Sequence, residues 1–174
     1  MMKGKLHLMA GSAVGISEAT ILLCTKGPIE ATCFVIPAIV GSLLPDSDLP
    51  NTKIGIKLPY ISNLINRLFG HRGFVHTPLC GALIAVGLYA AINKLIGPEY
   101  AWIAAAGLIC GYSVHLFQDM FTKGGIPLFY PISRSRISFT KLRSNSKIHT
   151  FITIGILIGW FYFIIPISKI ILRV

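Results

Sequence analysis

Five apolar runs, at residues 6–25, 28–44, 78–96, 100–122 and 148–172, leave this chain few folds to choose from. Each has a length within the range of about 17 to 25 residues that crosses a bilayer as a helix. In hydrocarbon a helix satisfies every backbone N–H and C=O within its own segment, which no isolated strand can do. The runs therefore predict an all-α integral membrane protein, a single membrane-embedded domain over residues 1–174 built as a bundle of about five transmembrane helices. Composition agrees, with 53% hydrophobic and only 13% charged residues. The run at 28–44 is the shortest and carries Pro37 in its interior, so a tilted or partly re-entrant crossing is the alternative there.

Local punctuation supports these boundaries. Gly27-Pro28, Thr77-Pro78 and Gly97-Pro98 each place proline at a first helical position, and Gly124-Gly125 offers a stop to the fourth helix. Met1-Met2-Lys3-Gly4-Lys5 before the first run imitates a signal peptide, but Glu18 within the run and the lack of an Ala-x-Ala exit predict a retained helix. Cys24, Cys33, Cys80 and Cys110 lie inside apolar runs without paired spacing, as small buried hydrophobes do.

The net charge of +10 would suggest nucleic acid in a soluble protein. Here the basic residues fall between apolar runs and no DNA-reading module is visible, so membrane topology and anionic lipid account for them, and no nucleic-acid partner is expected. Lys3, Lys5, Lys53, Lys57, Arg67, Arg72, Lys123, Arg134, Arg136, Lys141, Arg143 and Lys147 fall on one side of the membrane. Lys26, Lys94, Lys169 and Arg173 fall on the other. The positive-inside rule places the N-terminus and the richer side in the cytoplasm.

The polar residues of the apolar runs follow the same division. His7 opens the first run, Asp46 and Asp48 follow the second, His71 and His76 precede the third, and His115 and Asp119 close the fourth. In a helix His115 and Asp119 are one turn apart on one face. Imidazole and carboxylate at the end of a membrane helix are costly unless something binds them, and together they are ordinary ligands of zinc and related divalent ions. All seven residues share one membrane face and are expected to converge on a metal site. Glu18 lies about three turns beyond His7, roughly 16 Å deeper, where a hydrogen bond to a neighbouring helix is the expected role.

Two connecting segments complete the picture. Ile61, Leu64, Ile65, Leu68 and Phe69 are spaced for a short amphipathic helix, too short to span, lying in the interface as a lipid guide or packed as a cover over the bundle. The basic cytoplasmic loop from Gly124 to Lys147 alternates through Arg134-Ser135-Arg136-Ile137-Ser138-Phe139-Thr140, which predicts a short strand or hairpin. Arg72, Arg134 and Arg136 are candidates to hold a phosphate, against the plainer reading that such charges only touch anionic lipid.

Pro45-Asp46-Ser47-Asp48, His71-Arg72-Gly73-Phe74-Val75-His76-Thr77 and His115-Leu116-Phe117-Gln118-Asp119, in that order, resemble the YdjM-like bacterial inner-membrane proteins, grouped as metal-dependent hydrolases. The resemblance runs from His7 to about Pro131, and more remotely it is similar to zinc-dependent phospholipase C and the fungal single-strand nucleases. It implies His7, Asp46, Asp48, His71, His76, His115 and Asp119 as metal-site residues, holding more than one divalent ion, zinc first and manganese second. One position departs from the pattern, since Leu49 stands where relatives carry histidine after Pro-Asp-x-Asp, and His149 is the candidate replacement.

The expected function is hydrolysis of a phosphoester in a membrane lipid or lipid-linked phosphate at the cytoplasmic face, with Asp46 and Asp48 as the catalytic carboxylates beside the metals. The alternative from another class is a transporter or metal-handling protein using the same cluster without hydrolysis. Transport sites lie near the bilayer midplane on broken helices, whereas these residues sit at helix ends.

Overall fold

The computed structural model describes residues 3–143 and 147–172. Helices α1 (Lys3–Thr25) and α2 (Pro28–Gly41) form a hairpin, and a 3-10 turn at Leu44–Asp48 extends the second crossing. Two short helices follow, α3 (Lys53–Lys57) and α4 (Pro59–Phe69), then a second 3-10 turn at Phe74–His76. Helices α5 (Pro78–Ile96) and α6 (Pro98–Met120) make the next hairpin, and α7 (Lys147–Leu172) ends the described chain. Among the described residues four helices are long and apolar enough to cross a membrane: Lys5–Thr25, Pro28–Asp48, Pro78–Ile96 and Pro98–Met120.

Starts and stops follow local chemistry. Proline occupies the first turn of α2, α4, α5 and α6, where its missing N–H costs nothing. Thr77 caps α5 by accepting from the Cys80 amide, and Thr52 caps α3 by accepting from the Gly55 amide. Pro37 lies inside α2 without ending it, so the second segment runs on into the 3-10 turn rather than turning back. α6 ends at Met120, ahead of the glycine pair that the sequence offered as a stop.

Packing is inverted relative to a soluble protein. Ala10, Ala31, Ala38, Ala101, Ala104 and Ala105 fill the inside, while Met9, Ile16, Leu23, Ile36, Val86 and Trp102 face outward. Lipid tails are as apolar as leucine, so helices associate where small residues let backbones approach. Helix α6 is the centre of this arrangement, packed against α1, α2 and α5. At the α2–α6 crossing, a Cβ on Gly111 would collide with the Ala38 carbonyl, and one on Gly107 with the Phe34 carbonyl.

Helix α7 lies along α1. Trp160 Nε1 donates to Ser17 Oγ at 3.1 Å, and Gln118, which binds His7, donates through Nε2 to Thr153 Oγ1 at 3.4 Å. Residue 153 is thus level with residue 7 and residue 160 with residue 17. The two helices run parallel, so α7 enters the bundle from the end where α1 begins.

Two local expectations are corrected. Among the described residues no strand forms at 134–140, where an isolated antiparallel bridge joins Ile126 to Ile137. The Phe139 amide donates to the Met120 carbonyl and the Lys123 amide to the Leu142 carbonyl, each at 2.7 Å. The Ser138 hydroxyl lies 2.6 Å from both the Thr122 and Thr140 carbonyls, and the Thr140 hydroxyl donates to the Phe121 carbonyl, so scattered backbone and side-chain bonds hold the loop where a ladder would have. Glu18 is half-buried, and among the described residues it makes no hydrogen bond, unlike the interhelical bond expected of it.

Candidate metal centre

Four pieces of chain meet at one end of the bundle. The first turns of α1 bring His7, the 3-10 turn after α2 brings Asp46 and Asp48, the segment before α5 brings His71 and His76, and the last turns of α6 bring His115 and Asp119. The seven residues that the sequence placed on one membrane face therefore form one cluster. His7, Asp48, His76, His115 and Asp119 are at most 2% exposed and Asp46 is 6% exposed, while His71 is partly open at the edge.

Hydrogen bonds fix which ring nitrogens face inward. His7 Nδ1 donates to Gln118 Oε1 at 2.7 Å, and His115 Nδ1 donates to the Ser42 carbonyl at 2.7 Å. Both acceptors are oxygens without a proton to give, so the proton stays on Nδ1 and Nε2 presents its lone pair. The two rings stack with centroids 3.9 Å apart. His7 Nε2 lies 3.7 Å from Asp119 Oδ1, and His115 Nε2 lies 3.8 Å from Asp119 Oδ2 and 4.0 Å from Asp46 Oδ1. His76 sets Nε2 3.3 Å from Asp119 Oδ2 and Nδ1 3.5 Å from Asp48 Oδ2, neither in hydrogen-bonding alignment.

Arg72 organises the opposite side. Its φ of 59° lies in the left-handed region, uncommon for a residue with a side chain, and this backbone turn aims both its amide and its guanidinium inward. The amide donates to Asp48 Oδ2 at 2.7 Å, which also takes His71 Nδ1 at 3.1 Å. The guanidinium donates to Asp119 Oδ1 at 2.6 Å, to Thr122 Oγ1 at 2.7 Å and to the Gly125 carbonyl at 3.3 Å. A Cβ on Gly124 would strike this guanidinium, which explains a glycine there.

The donor set fits a divalent cation on two counts. Three carboxylates, Asp46, Asp48 and Asp119, are buried beside one guanidinium, so with neutral imidazoles the cluster reaches charge balance only by taking up protons or a cation. Several ligating atoms are also buried without hydrogen bonds: Asp46 Oδ2, Asp48 Oδ1, both ring nitrogens of His76, and His115 Nε2. Native proteins rarely leave such atoms unpaired. One atom each from His7, His115 and Asp119 lie within 4.8 Å of one another, as do atoms of Asp46, His76 and His115. Imidazole with carboxylate suits zinc, manganese and other first-row ions alike, so these donors define a metal site without selecting the ion.

The remaining candidates fall nearby. Arg72, Arg134 and Arg136 line one polar cavity of about 270 Å³ with Gly73 and Tyr130, and Arg136 Nη2 donates to the His71 carbonyl at 3.0 Å. Arg72 is nonetheless committed to Asp119, so it supports the cluster electrostatically. The side chain of His149 lies outside the described residues. Sequence reasoning did not assign Gln118 or Ser42, whose oxygens orient the two stacked histidines. Gln118 was visible only as a polar residue between His115 and Asp119, and the Ser42 carbonyl carries no side-chain signal.

Because Gln118 holds the His7 ring in its ligating tautomer, Gln118→Ala is expected to lower divalent-metal affinity about 10- to 100-fold. Titration of the detergent-purified protein with chelator-buffered zinc measures this. Unchanged affinity would show that His7 takes no part in binding.

Membrane helices packed on small residues, with a buried His/Asp cluster at one end, define a multi-span helical membrane protein carrying a candidate metal centre. The chain belongs to the family described as YdjM inner membrane protein, whose profile matches residues 2–172. It is 36% identical over 125 residues to the Inner membrane protein YdjM of Escherichia coli, covering 70% of this chain and 61% of that protein. The Shigella flexneri protein of the same name matches equally. It is 32% identical over 130 residues to YvsG of Bacillus subtilis, covering 75% of this chain and 74% of that one. No solved structure matches the chain. The family and the apolar helices together indicate an inner-membrane location.

Proposed function

We propose that the chain is a metal-dependent phosphoester hydrolase acting on a lipid or lipid-linked phosphate at the cytoplasmic membrane face. The observation that carries this is the set of buried, unpaired histidine and aspartate atoms converging at the end of the helices, next to an arginine-lined cavity. His7, Asp46, Asp48, His71, His76, His115 and Asp119 would hold the divalent ion, zinc or manganese and more than one if the seven are shared out, which would supply Lewis-acid charge for a phosphate oxygen and lower the pKa of a nearby water.

The two catalytic candidates differ in their surroundings. Asp48 is tied through Oδ2 to the Arg72 amide and His71, so it positions the loop and offers Oδ1 as a ligand. The Asp46 carboxylate makes no hydrogen bond among the described residues and is free to accept the proton of the water. Arg134 and Arg136 stand where a phosphate approaches past His71. The excess of lysine and arginine on the connecting segments of this end supports the cytoplasmic orientation. Placement of the cluster at helix ends, away from the midplane, favours hydrolysis over transport.

The test is phosphate release from phosphatidic acid, phosphatidylglycerol phosphate and polyprenyl phosphate in detergent. Activity requiring added zinc or manganese and lost in Asp46→Asn is expected. Metal bound without turnover of any of these substrates would instead favour the metal-handling reading.

A further inference from the structure

Beneath α3 and α4 lies a mostly apolar cavity of about 250 Å³, walled by Leu58, Ile65, Val75, Ile84 and Tyr112. Its inner wall is shared with the metal centre. Ser47, between Asp46 and Asp48, lines it, and Tyr112 donates its hydroxyl to the carbonyl of Val75, the residue before His76.

One polar group in this wall lacks a partner. Ser62 is 1% exposed, yet its hydroxyl makes no hydrogen bond, not even back to the carbonyl one turn earlier. One turn on, Asn66 shows what an inward polar residue of α4 ordinarily achieves, since its Nδ2 donates to the Asp48 carbonyl at 2.8 Å. Meanwhile Leu64 and Leu68 of α4 face outward, as they would toward lipid, and Ile61 lies at the mouth of the groove. The helix thus borders a groove that is mostly apolar, with two hydroxyls in its lining, Ser47 and the fully buried Ser62.

We propose that this groove takes an acyl chain of the lipid bound at the metal centre, with the Ser62 hydroxyl donating to the chain's ester carbonyl. The inference rests on the phosphoester reading for what occupies the cluster, and it narrows the substrate class to acyl-ester phospholipids such as phosphatidic acid. An acyl chain brings an ester carbonyl with it, and that acceptor satisfies Ser62. A polyprenyl chain has no oxygen except those of its phosphate, which the cluster would hold, so it would leave Ser62 unpaired.

The experiment is photo-crosslinking of the full-length wild-type protein in detergent with a phosphatidic acid carrying a diazirine in its acyl chain, mapped by mass spectrometry. Labels concentrated on Leu58, Ile65 and Ile84, competed by diacyl phosphatidic acid and poorly by polyprenyl phosphate, are expected. Labels spread over the outward helix faces, concentrated on Val114 and Leu157 of the separate groove beside α7, or competed better by polyprenyl phosphate overturn the proposal. In a second arm, Ser62→Ala is expected to weaken binding of the diester lipid roughly three- to tenfold while leaving the diether analogue nearly unchanged, as loss of one hydrogen bond to the carbonyl requires. Equal effects on both lipids, or none, would show that the hydroxyl does not bond the ester carbonyl and would overturn the proposal. Labelling needs no turnover, so a protein that labels in the groove but releases no phosphate fails the hydrolase reading and keeps this one.

Discussion

Asp119→Asn is expected to strip the protein of its metal and to cost about 3–5 kcal/mol of stability as well. Asp119 is a meeting point of the cluster: Oδ1 takes the Arg72 guanidinium at 2.6 Å and faces His7, while Oδ2 faces His76 and His115. From sequence alone this carboxylate at the end of a helix matters to metal occupancy and little to folding. The structure adds Arg72, 5% exposed, whose guanidinium the asparagine would leave buried beside a neutral amide. Breaking a buried pair by removing one partner is what makes such changes expensive. The double variant Arg72→Met with Asp119→Asn should recover part of the stability and none of the metal. Thermal unfolding in detergent and elemental analysis report the two quantities separately. Full metal content in Asp119→Asn would remove this residue from the site.

Gly111→Val should destabilise the bundle by about 3 kcal/mol or more, the upper end of overpacking penalties. The obstacle is rigid, since the new Cβ would meet the Ala38 backbone carbonyl of α2, which cannot rotate away as a side chain would. Prising α2 from α6 also breaks the bond from His115 Nδ1 to the Ser42 carbonyl, so metal affinity should fall with stability. Gly87→Ala in α5 is the control, because a Cβ there meets nothing within 4 Å, and it should be neutral or stabilising by up to about 1 kcal/mol. Equal effects of the two substitutions would show that close α2–α6 contact is not what holds the site together.

Much of this arrangement is legible in the residues themselves, for a physical reason. Apolar length dictates crossing helices, proline and glycine mark their ends, and the lysine and arginine count sorts the connections by side. Seven candidate ligands on one side of such a map have little room to do anything but meet. The amphipathic spacing from Ile61 to Phe69 likewise emerges as α4. What stayed hidden depends on distances that no local pattern encodes. Arg72 reads as a phosphate ligand because a basic residue beside His71 is all the sequence shows, and its partner Asp119 is 47 positions away. The alternation at 134–140 has the period of a strand, but its backbone bonds go to Ile126 and, across a break in register, to the Met120 carbonyl at the end of α6, which makes no continuous ladder. Asp46 and Asp48 are equivalent by spacing and become different only when the Arg72 amide turns to one of them.

The most direct measurement is the metal content of the detergent-purified chain, by inductively coupled plasma mass spectrometry, beside the triple variant Asp46→Asn, His76→Gln, His115→Gln. The buried, unpaired carboxylate and imidazole atoms predict at least about one equivalent of a divalent transition metal in the wild type, removable by chelator with a fall in thermal stability. The triple variant should purify folded and nearly metal-free. A wild-type protein that carries no metal, binds none on titration, and unfolds at the same temperature with and without chelator would contradict the assignment of the cluster as a metal centre.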